Sequence, residues 1–198
     1  MIKYPDGRSY SVGKQKVRKN KIEISISAAN RGMDLESALN QTNSYYVRKN
    51  IALIYKRPTP INVVKVDYSK GSPRITHAYF EKQSTTDYNG VYKGRYIDFE
   101  AKSTMNKTSF PLANIEKHQI EHLKRVLLNN GIAFFIIQFS SFNEVYLLDA
   151  SFVIEFYEKG DRKSIPYNIV SSNGILLKEN YAPRLDYISA VDKLYYNK

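Results

Sequence analysis

The sequence lacks cysteine and any long apolar run, and both absences narrow the classes of protein it can represent. With no cysteine among 198 residues, disulfide frameworks and thiolate metal sites are excluded, which suits a reducing compartment. No apolar stretch approaches the roughly 20 residues that a transmembrane helix needs. The first residues also lack the apolar core of a secretory signal. We therefore expect a soluble, cytoplasmic protein with no membrane partner.

Acidic residues are also scarce relative to basic ones. The chain has 30 lysines and arginines against 19 acidic residues, which gives a net charge of +11. Such a chain attracts polyanions, and nucleic acid is the commonest polyanionic partner of a soluble protein. The length and the 42% hydrophobic fraction are typical of one globular domain with a substantial core. Composition therefore predicts a single domain that binds nucleic acid.

The first 30 residues are basic and have little hydrophobic patterning. They contain seven basic residues against Asp6 and Glu23. We expect residues 1–30 to form a flexible arm that contacts DNA or only aids solubility, with a short strand over Ile22–Ser27. The folded domain is expected over residues 31–198.

Residues 96–102 form a segment with alternating side chains that contains the candidate catalytic residues. Two faces alternate along it: Tyr96, Asp98, Glu100 and Lys102 on one, and Ile97, Phe99 and Ala101 on the other. A turn upstream can bring Asp87 close to Glu100. Two carboxylates hold a hard divalent cation, and a neighbouring lysine orients a water or offsets charge on a phosphate. Asp87, Glu100 and Lys102 thus fit a metal-dependent nuclease, although a Glu-x-Lys pair on an exposed strand is also typical of solvated charge.

Several motifs extend this pattern. They are Asn30-Arg-Gly-Met-Asp-Leu-Glu36, Asn40-Gln-Thr-Asn-Ser-Tyr-Tyr46, Lys56-Arg-Pro-Thr-Pro60, Val66-Asp-Tyr68, Ser84-Thr-Thr-Asp-Tyr-Asn-Gly-Val-Tyr and Tyr96-Ile-Asp-Phe-Glu-Ala-Lys. Together they resemble the RecU family of Holliday junction resolvases, a branch of the PD-(D/E)xK nuclease superfamily. The resemblance covers residues 30–150 with specific motifs and the remainder more loosely. The superfamily's proline is absent, since Thr86 precedes Asp87.

The resemblance implies a fold and a metal site. The implied fold is α/β, a restriction-endonuclease-like mixed sheet flanked by helices, with a protruding β-hairpin stalk at about residues 61–80. The implied cofactor is Mg²⁺, for which Mn²⁺ can substitute. Its implied ligands are Thr85, Asp87, Glu100 and Gln119. Lys102 would stabilise the transition state, and Glu36 would support the site as an auxiliary residue or be an ordinary surface glutamate of a first helical turn.

The resemblance also implies partners. These are branched DNA in the form of Holliday junctions, a second copy of the chain in a homodimer, and the RecA recombinase. The resemblance also implies a bacterial protein that associates with the nucleoid. We expect DNA contacts from six basic residues: Arg31, Lys56, Arg57, Lys70, Arg74 and Lys107.

The remaining elements follow from periodicity and turn residues. We expect a helix from Gly32 with Asp34 as its N-cap, a buried strand over Ile51–Tyr55, a hairpin within residues 61–80, a helix over Asn114–Asn130, strands over Ile132–Phe139 and Glu144–Asp149, and a short helix from Ser151. Residues 158–198 give no assignable chemistry.

A second metal motif competes with the nuclease pattern. His118-Gln-Ile-Glu-His122 spells the inverted zinc-protease motif, and two histidines four apart share a helix face. A catalytic zinc needs a third ligand, and the remaining histidine, His77, lies in the expected hairpin. Glu155 or Glu179 would have to complete the site. We favour the nuclease interpretation, because isolated short motifs of this kind usually have no function.

Two other functions remain open at this level. The first is a non-catalytic protein that binds junctions, anneals strands and modulates RecA, with structural carboxylates. The second is a restriction-type endonuclease that cuts duplex DNA.

Overall fold

The computed structural model describes residues 23–69, 71–81 and 85–197, with side chains described from Leu35 onward. The elements are α1 (Glu23–Arg48), β1 (Leu53–Lys56), β2 (Ile61–Asp67), β3 (Arg74–Phe80), β4 (Tyr88–Tyr92), β5 (Arg95–Thr104), β6 (Ser109–Pro111), a 3-10 turn (Leu112–Asn114), α2 (Lys117–Leu128), β7 (Ile132–Phe139), β8 (Glu144–Asp149), α3 (Ala150–Lys159), β9 (Ser164–Pro166), α4 (Tyr167–Asn173), β10 (Ile175–Leu177) and α5 (Tyr187–Tyr195).

A six-stranded mixed sheet forms the centre of the molecule. Its strand order is β1-β4-β5-β7-β8-β10, and β6 pairs separately with β9. β5 and β7 run parallel, with α2 between them in the chain, and the other pairs in the sheet are antiparallel. Parallel neighbours need such a crossover. In the strand order, β5, which carries Glu100, lies in the middle of the sheet.

β7 divides the core into two layers. All eight of its residues are buried, as its continuous apolar run predicts. Phe134 and Ile136 pack with residues of α1 and α5, whereas Phe135 and Ile137 pack with residues of α2 and α3. The predicted α/β architecture, a mixed sheet flanked by helices, is confirmed.

β2 and β3 form an antiparallel hairpin separate from the main sheet. Every residue of β3 is exposed, and no residue of β2 is buried. The hairpin predicted within residues 61–80 is therefore present, and it projects from the domain rather than packing into its core.

Two predictions near the N-terminus are wrong. α1 begins at Glu23 rather than Gly32, so Asp34 lies inside the helix, and residues 23–27 are helical rather than a strand. The Ile-Ser-Ile-Ser alternation favoured a strand, but a helix that is already nucleated extends easily into neighbouring residues. The part of the predicted arm before residue 23 lies outside the described residues.

The prediction of a buried strand at Ile51–Tyr55 is also wrong in its burial. β1 is an edge strand in which only Ile54 is buried, and Leu53 and Tyr55 are more than half exposed. The apolar run signalled a strand but could not show how many of its faces are covered.

Residues 158–198 contribute more than sequence patterns indicated. They supply α4, β10 at one sheet edge, and α5, whose Tyr187 is fully buried against the core. None of the helices in the described part of the chain is both long and apolar enough to cross a membrane.

Candidate active site

Three of the predicted site residues converge on the buried carboxyl group of a fourth, Glu100. Glu100, in β5, is 1% exposed. Its Oε2 accepts the backbone N–H of Asp87 at 3.0 Å. Its Oε1 lies 2.7 Å from Nζ of Lys102 and accepts Nε2–H of Gln119, also at 2.7 Å. The fold therefore brings Asp87, Glu100, Lys102 and Gln119 together as expected.

The electrostatics of Glu100 are unusual for an acid. Burial raises the pKa of Glu100, the negative charge of Asp87 raises it further, and Lys102 only partly offsets them, so the pKa reaches about 7. Two carboxyl groups held together away from water disfavour their joint ionisation. A bound cation would relieve this repulsion, so the donor set fits a divalent metal.

Gln119 is oriented by the start of α2. Its Oε1 accepts the backbone N–H of Glu116 at 3.0 Å, as part of a capping box at the helix N-terminus. Since that N–H requires an acceptor, it is the amide nitrogen that faces Glu100. Gln119 therefore acts here as a donor that holds Glu100, and a direct metal contact through its oxygen would require the amide to turn.

The other predicted site residues surround this group. Thr85 is half-buried, two residues before Asp87 on the loop that leads into β4. Glu36, on α1, is paired with Lys56 of β1 at 2.5 Å. Glu36 and Lys56 line a cavity of about 100 Å³ together with Asp87. Glu36, the predicted auxiliary residue, and Lys56, a predicted DNA contact, thus lie next to Asp87.

A second buried cluster, missed by sequence reasoning, adjoins the first. Asp98, two residues before Glu100 on β5, is fully buried. Its carboxylate accepts hydrogen bonds from Arg57, Tyr96 and Thr86 and contacts Nε2 of His122. Although burial raises the pKa of Asp98, these bonds and the charge of Arg57 hold it below its ordinary value.

Arg57 connects this cluster to the loop that carries Asp87. Its guanidinium donates to the backbone and side-chain oxygens of Thr86, and its backbone N–H donates to the carbonyl of Asp87 at 2.8 Å. The guanidinium is thus already engaged within the fold. A phosphate contact, as predicted for Arg57, would have to share it with these partners.

The remaining basic residues predicted to contact DNA are distributed over the surface. Arg74 is exposed at the start of β3 in the hairpin, and Lys107 is exposed in the loop after β5. The side chain of Arg31 and the whole of Lys70 lie outside the described residues.

The zinc-like motif does not form a metal site in the described part of the chain. His122 is engaged with Asp98, and His77 is exposed on β3. No group of three or more histidine, aspartate or glutamate residues among those described is placed to hold a metal. One histidine of this motif instead has a structural role, because Nε2 of His122 contacts the buried carboxylate of Asp98.

Comparisons with known proteins agree with the motifs. A family model described as recombination protein U matches residues 30–193. The chain is 51% identical to proteins named Holliday junction resolvase RecU from Bacillus cytotoxicus and from Bacillus cereus, over 99% of both chains in each comparison. A solved Holliday junction resolvase, Hjc of Archaeoglobus fulgidus, matches 67% of this chain and 89% of its own. The two chains are 9% identical, with a TM-score of 0.38. On the family match and the full-length identity, the chain belongs to the RecU family.

Proposed function

We propose that this protein is a Holliday junction resolvase, a metal-dependent endonuclease that makes paired, symmetric nicks in four-way DNA junctions during recombination and repair. One observation carries the proposal. The backbone N–H of Asp87 and the ammonium of Lys102 both contact the buried carboxyl group of Glu100, in a chain 51% identical over 99% of its length to proteins named as resolvases.

The carboxylates supply the binding site for a cation. Mg²⁺ usually keeps several waters and is held by one or two carboxylates, so Asp87 and Glu100 suffice as its charged ligands, with Mn²⁺ able to replace it. Thr85 is the further oxygen donor on the same loop. When bound, such an ion polarises the scissile phosphate and lowers the pKa of a water.

Lys102 and Gln119 prepare the site for the reaction. Lys102 is 23% exposed, so its ammonium reaches Glu100 while remaining open to substrate. There it stabilises the negative charge that grows on the phosphate in the transition state. Gln119 holds the same Glu100 oxygen, Oε1, through its side-chain N–H group. Glu36 acts indirectly, by holding Lys56 beside the cavity that contains Asp87.

DNA contacts follow from the charge of the chain. The net charge of +11 attracts the phosphate backbone. Lys56 and Lys107 contact the strands near the carboxylates, and the hairpin that carries Lys70 and Arg74 enters the branch point. Arg31 and the basic residues before it add further phosphate contacts.

Paired cuts require paired sites. One chain provides one Asp87–Glu100–Lys102 set, and a two-fold symmetric dimer places two identical sites at a fixed spacing. The proposed active form is therefore a homodimer in the bacterial cytoplasm, associated with the nucleoid. Modulation of the RecA recombinase is a further partner role proposed from family membership.

The main alternative is a junction-binding protein whose carboxylates are only structural. Substituting Asp87→Asn separates the two functions. An enzyme should lose at least 100-fold in cutting rate, on the order expected when a transition-state interaction is removed, while junction binding stays within about threefold, since few phosphate contacts change. Gel-shift and cleavage assays on one labelled junction measure both. Asp161→Asn, an exposed aspartate after α3, is the matched control. Unchanged cutting by Asp87→Asn would contradict the proposal.

A further inference from the structure

A groove separates the second half of α1 from the loop at residues 178–186. Its volume is about 560 Å³, and its lining includes Asn40, Gln41, Ser44, Arg48, Tyr181 and Arg184. The loop is anchored to the helix, because the backbone N–H of Leu185 donates to Oγ1 of Thr42 at 2.9 Å. The walls of the groove are therefore held at a fixed separation.

Tyr181 stands at the rim of this groove with its ring in solvent. Its relative exposure is 102%, whereas most tyrosines with a structural role in this chain, such as Tyr46 and Tyr187, are nearly inaccessible. A ring without packing contacts contributes nothing to the core. Its two faces are free to stack on a planar ligand.

A smaller recess opens beside the groove and contains an unpaired buried acceptor. The recess has a volume of about 130 Å³ and shares Ser37, Gln41 and Arg184 with the groove. Gln138 of β7 lines it and is only 7% exposed. Its Oε1 has no hydrogen-bond partner among the described residues. A buried acceptor without a donor is unfavourable, so it calls for a ligand that supplies an N–H or O–H group.

Charge is divided between the recess and the groove. In the recess Arg184 is paired with Glu179 at 3.1 Å, so the lining is close to neutral there. Arg48, in the last turn of α1, is exposed and has no ion pair among the described residues. The surface thus offers a cation for a phosphate at the groove and neutral polar groups for a base edge in the recess.

The groove adjoins the small cavity beside Asp87. Glu36 lines both the groove and the small cavity that contains Asp87 and Lys56. Gln138 pairs with Ser103, and Ser103 lines that same small cavity on the α1 side of the sheet. A DNA strand whose phosphate lies at Asp87 can therefore extend directly into this groove.

We propose that the groove binds an unpaired nucleotide of the DNA strand next to the scissile phosphate. Tyr181 stacks on the base, Gln138 accepts an N–H from the base edge, and Arg48 contacts the phosphate. The nucleotide must be unpaired, because bases within a duplex already stack on their neighbours and leave no face for Tyr181. This subsite rests on the proposed function, since it places the same strand that the carboxylates would cut.

The test uses a short single-stranded oligonucleotide with one 2-aminopurine, bound by the full-length protein with Ca²⁺ in place of Mg²⁺. We expect the wild-type protein to change the fluorescence of the base. Tyr181→Ala should abolish that change and weaken binding about tenfold, as loss of one stacking contact does. Because Tyr181 is fully exposed, this substitution leaves the fold intact.

Two further variants separate binding from structure. Arg48→Gln should weaken binding and reduce the salt dependence of log K by about 1, whereas Arg125→Gln, an exposed arginine in the last turn of α2, should change neither. Gln138→Met removes the unpaired acceptor, so it should raise the melting temperature while weakening oligonucleotide binding several-fold. A residue that serves only the fold would not move these two quantities in opposite directions.

The outcomes distinguish this proposal from the nuclease proposal. If Tyr181→Ala and the wild type bind the oligonucleotide equally and neither alters its fluorescence, the groove is not a nucleotide subsite, whatever the cutting activity. If the wild type binds the base as expected but cuts no junction, the groove still binds a nucleotide and only the nuclease proposal fails.

Discussion

Glu100 receives a backbone N–H, an ammonium and an amide N–H while it is almost excluded from water. Its pKa rises from 4.5 to about 7, first because of burial and then because of Asp87. Folding therefore favours the protonated form. The resulting stabilisation is complete below pH 4.5 and is lost as the pH rises through about 7.

We expect the metal-free protein to lose stability between about pH 5 and 8, by up to about 3 kcal/mol from this group. Glu100→Gln, which cannot ionise, should have a flatter profile. Thermal unfolding in EDTA across this range measures both. Equal pH slopes for the two proteins would show that the Glu100 carboxyl does not titrate in this window.

Arg57 is the residue whose removal should most disturb the neighbouring cluster. Its side chain is 18% exposed and pairs with the fully buried Asp98 at 2.7 Å. Arg57→Met leaves that carboxylate without its cation, so we expect a loss of roughly 3 kcal/mol in unfolding free energy. Lys159→Met, which breaks an exposed pair with Glu155, should leave the unfolding free energy almost unchanged. Urea titrations measure the unfolding free energy of both variants. A loss for Arg57→Met as small as that for Lys159→Met would show that Arg57 does not stabilise the buried carboxylate of Asp98.

The individual site residues were only partly predictable. Asp87, Glu100, Lys102 and Gln119 lie in recognisable motifs, and the structure brings them together. The role of Asp98 was not visible, although the strand alternation puts it on the same face as Glu100. Its partners Arg57 and His122 are 41 and 24 residues away in the chain, and such long-range pairing has no signature in local spacing.

Among the elements, those with strong local signals were predicted best. β7 and β8 have the predicted bounds, since apolar runs closed by turn residues define them on both sides. The start of α1 and the exposure of β1 were wrong, because short alternation and short apolar runs do not fix how a segment packs. α4, β10 and α5 depend on contacts with distant strands, which local patterns do not encode.

The attachment of β1 depends on a glycine in β4. Gly90 pairs with Ile54 of β1, and a Cβ at Gly90 would lie 1.8 Å from the carbonyl oxygen of Leu53. Gly90→Ala should therefore separate the two strands and cost about 3 kcal/mol. The lost pairing would also displace Lys56, the last residue of β1, and Arg57, which follows it.

Hydrogen exchange at the amides of residues 53–56, with urea unfolding, measures this effect. Asn89→Ala is a suitable control, because it removes only a 3.3 Å hydrogen bond to Tyr96 and should cost under about 1 kcal/mol. Protection of β1 unchanged in Gly90→Ala would contradict the close approach of the two strands.

We expect the β2–β3 hairpin to favour binding to four-way junctions over binding to duplex DNA. Replacing residues 68–73 with an Asn-Gly turn shortens the tip between Asp67 and Arg74. Since the hairpin residues are not buried, the melting temperature should stay within about 2 °C, as expected when little stability is lost. Binding to four-way junctions should weaken more than binding to duplex DNA. Competition gel shifts with both DNAs give the ratio, and an unchanged ratio would favour a duplex-specific enzyme.

At the scale of the whole molecule, charge and symmetry complement the site. In the proposed function a net charge of +11 would attract DNA, β5 places Glu100 in the middle of the sheet, and a pair of chains would cut two strands at once. Each of these parts could exist in a protein that only binds junctions, so the chemistry itself has to be observed.

The most direct measurement is therefore the cutting of a synthetic four-way junction, with each strand labelled in turn and the products separated on a denaturing gel. The account predicts symmetric nicks in two strands of like polarity with Mg²⁺, none with Ca²⁺, and none with Lys102→Ala, which should still bind the junction. Tight binding by the wild-type protein without nicks, in both Mg²⁺ and Mn²⁺ from about pH 6 to 9, would contradict it and leave a junction-binding protein.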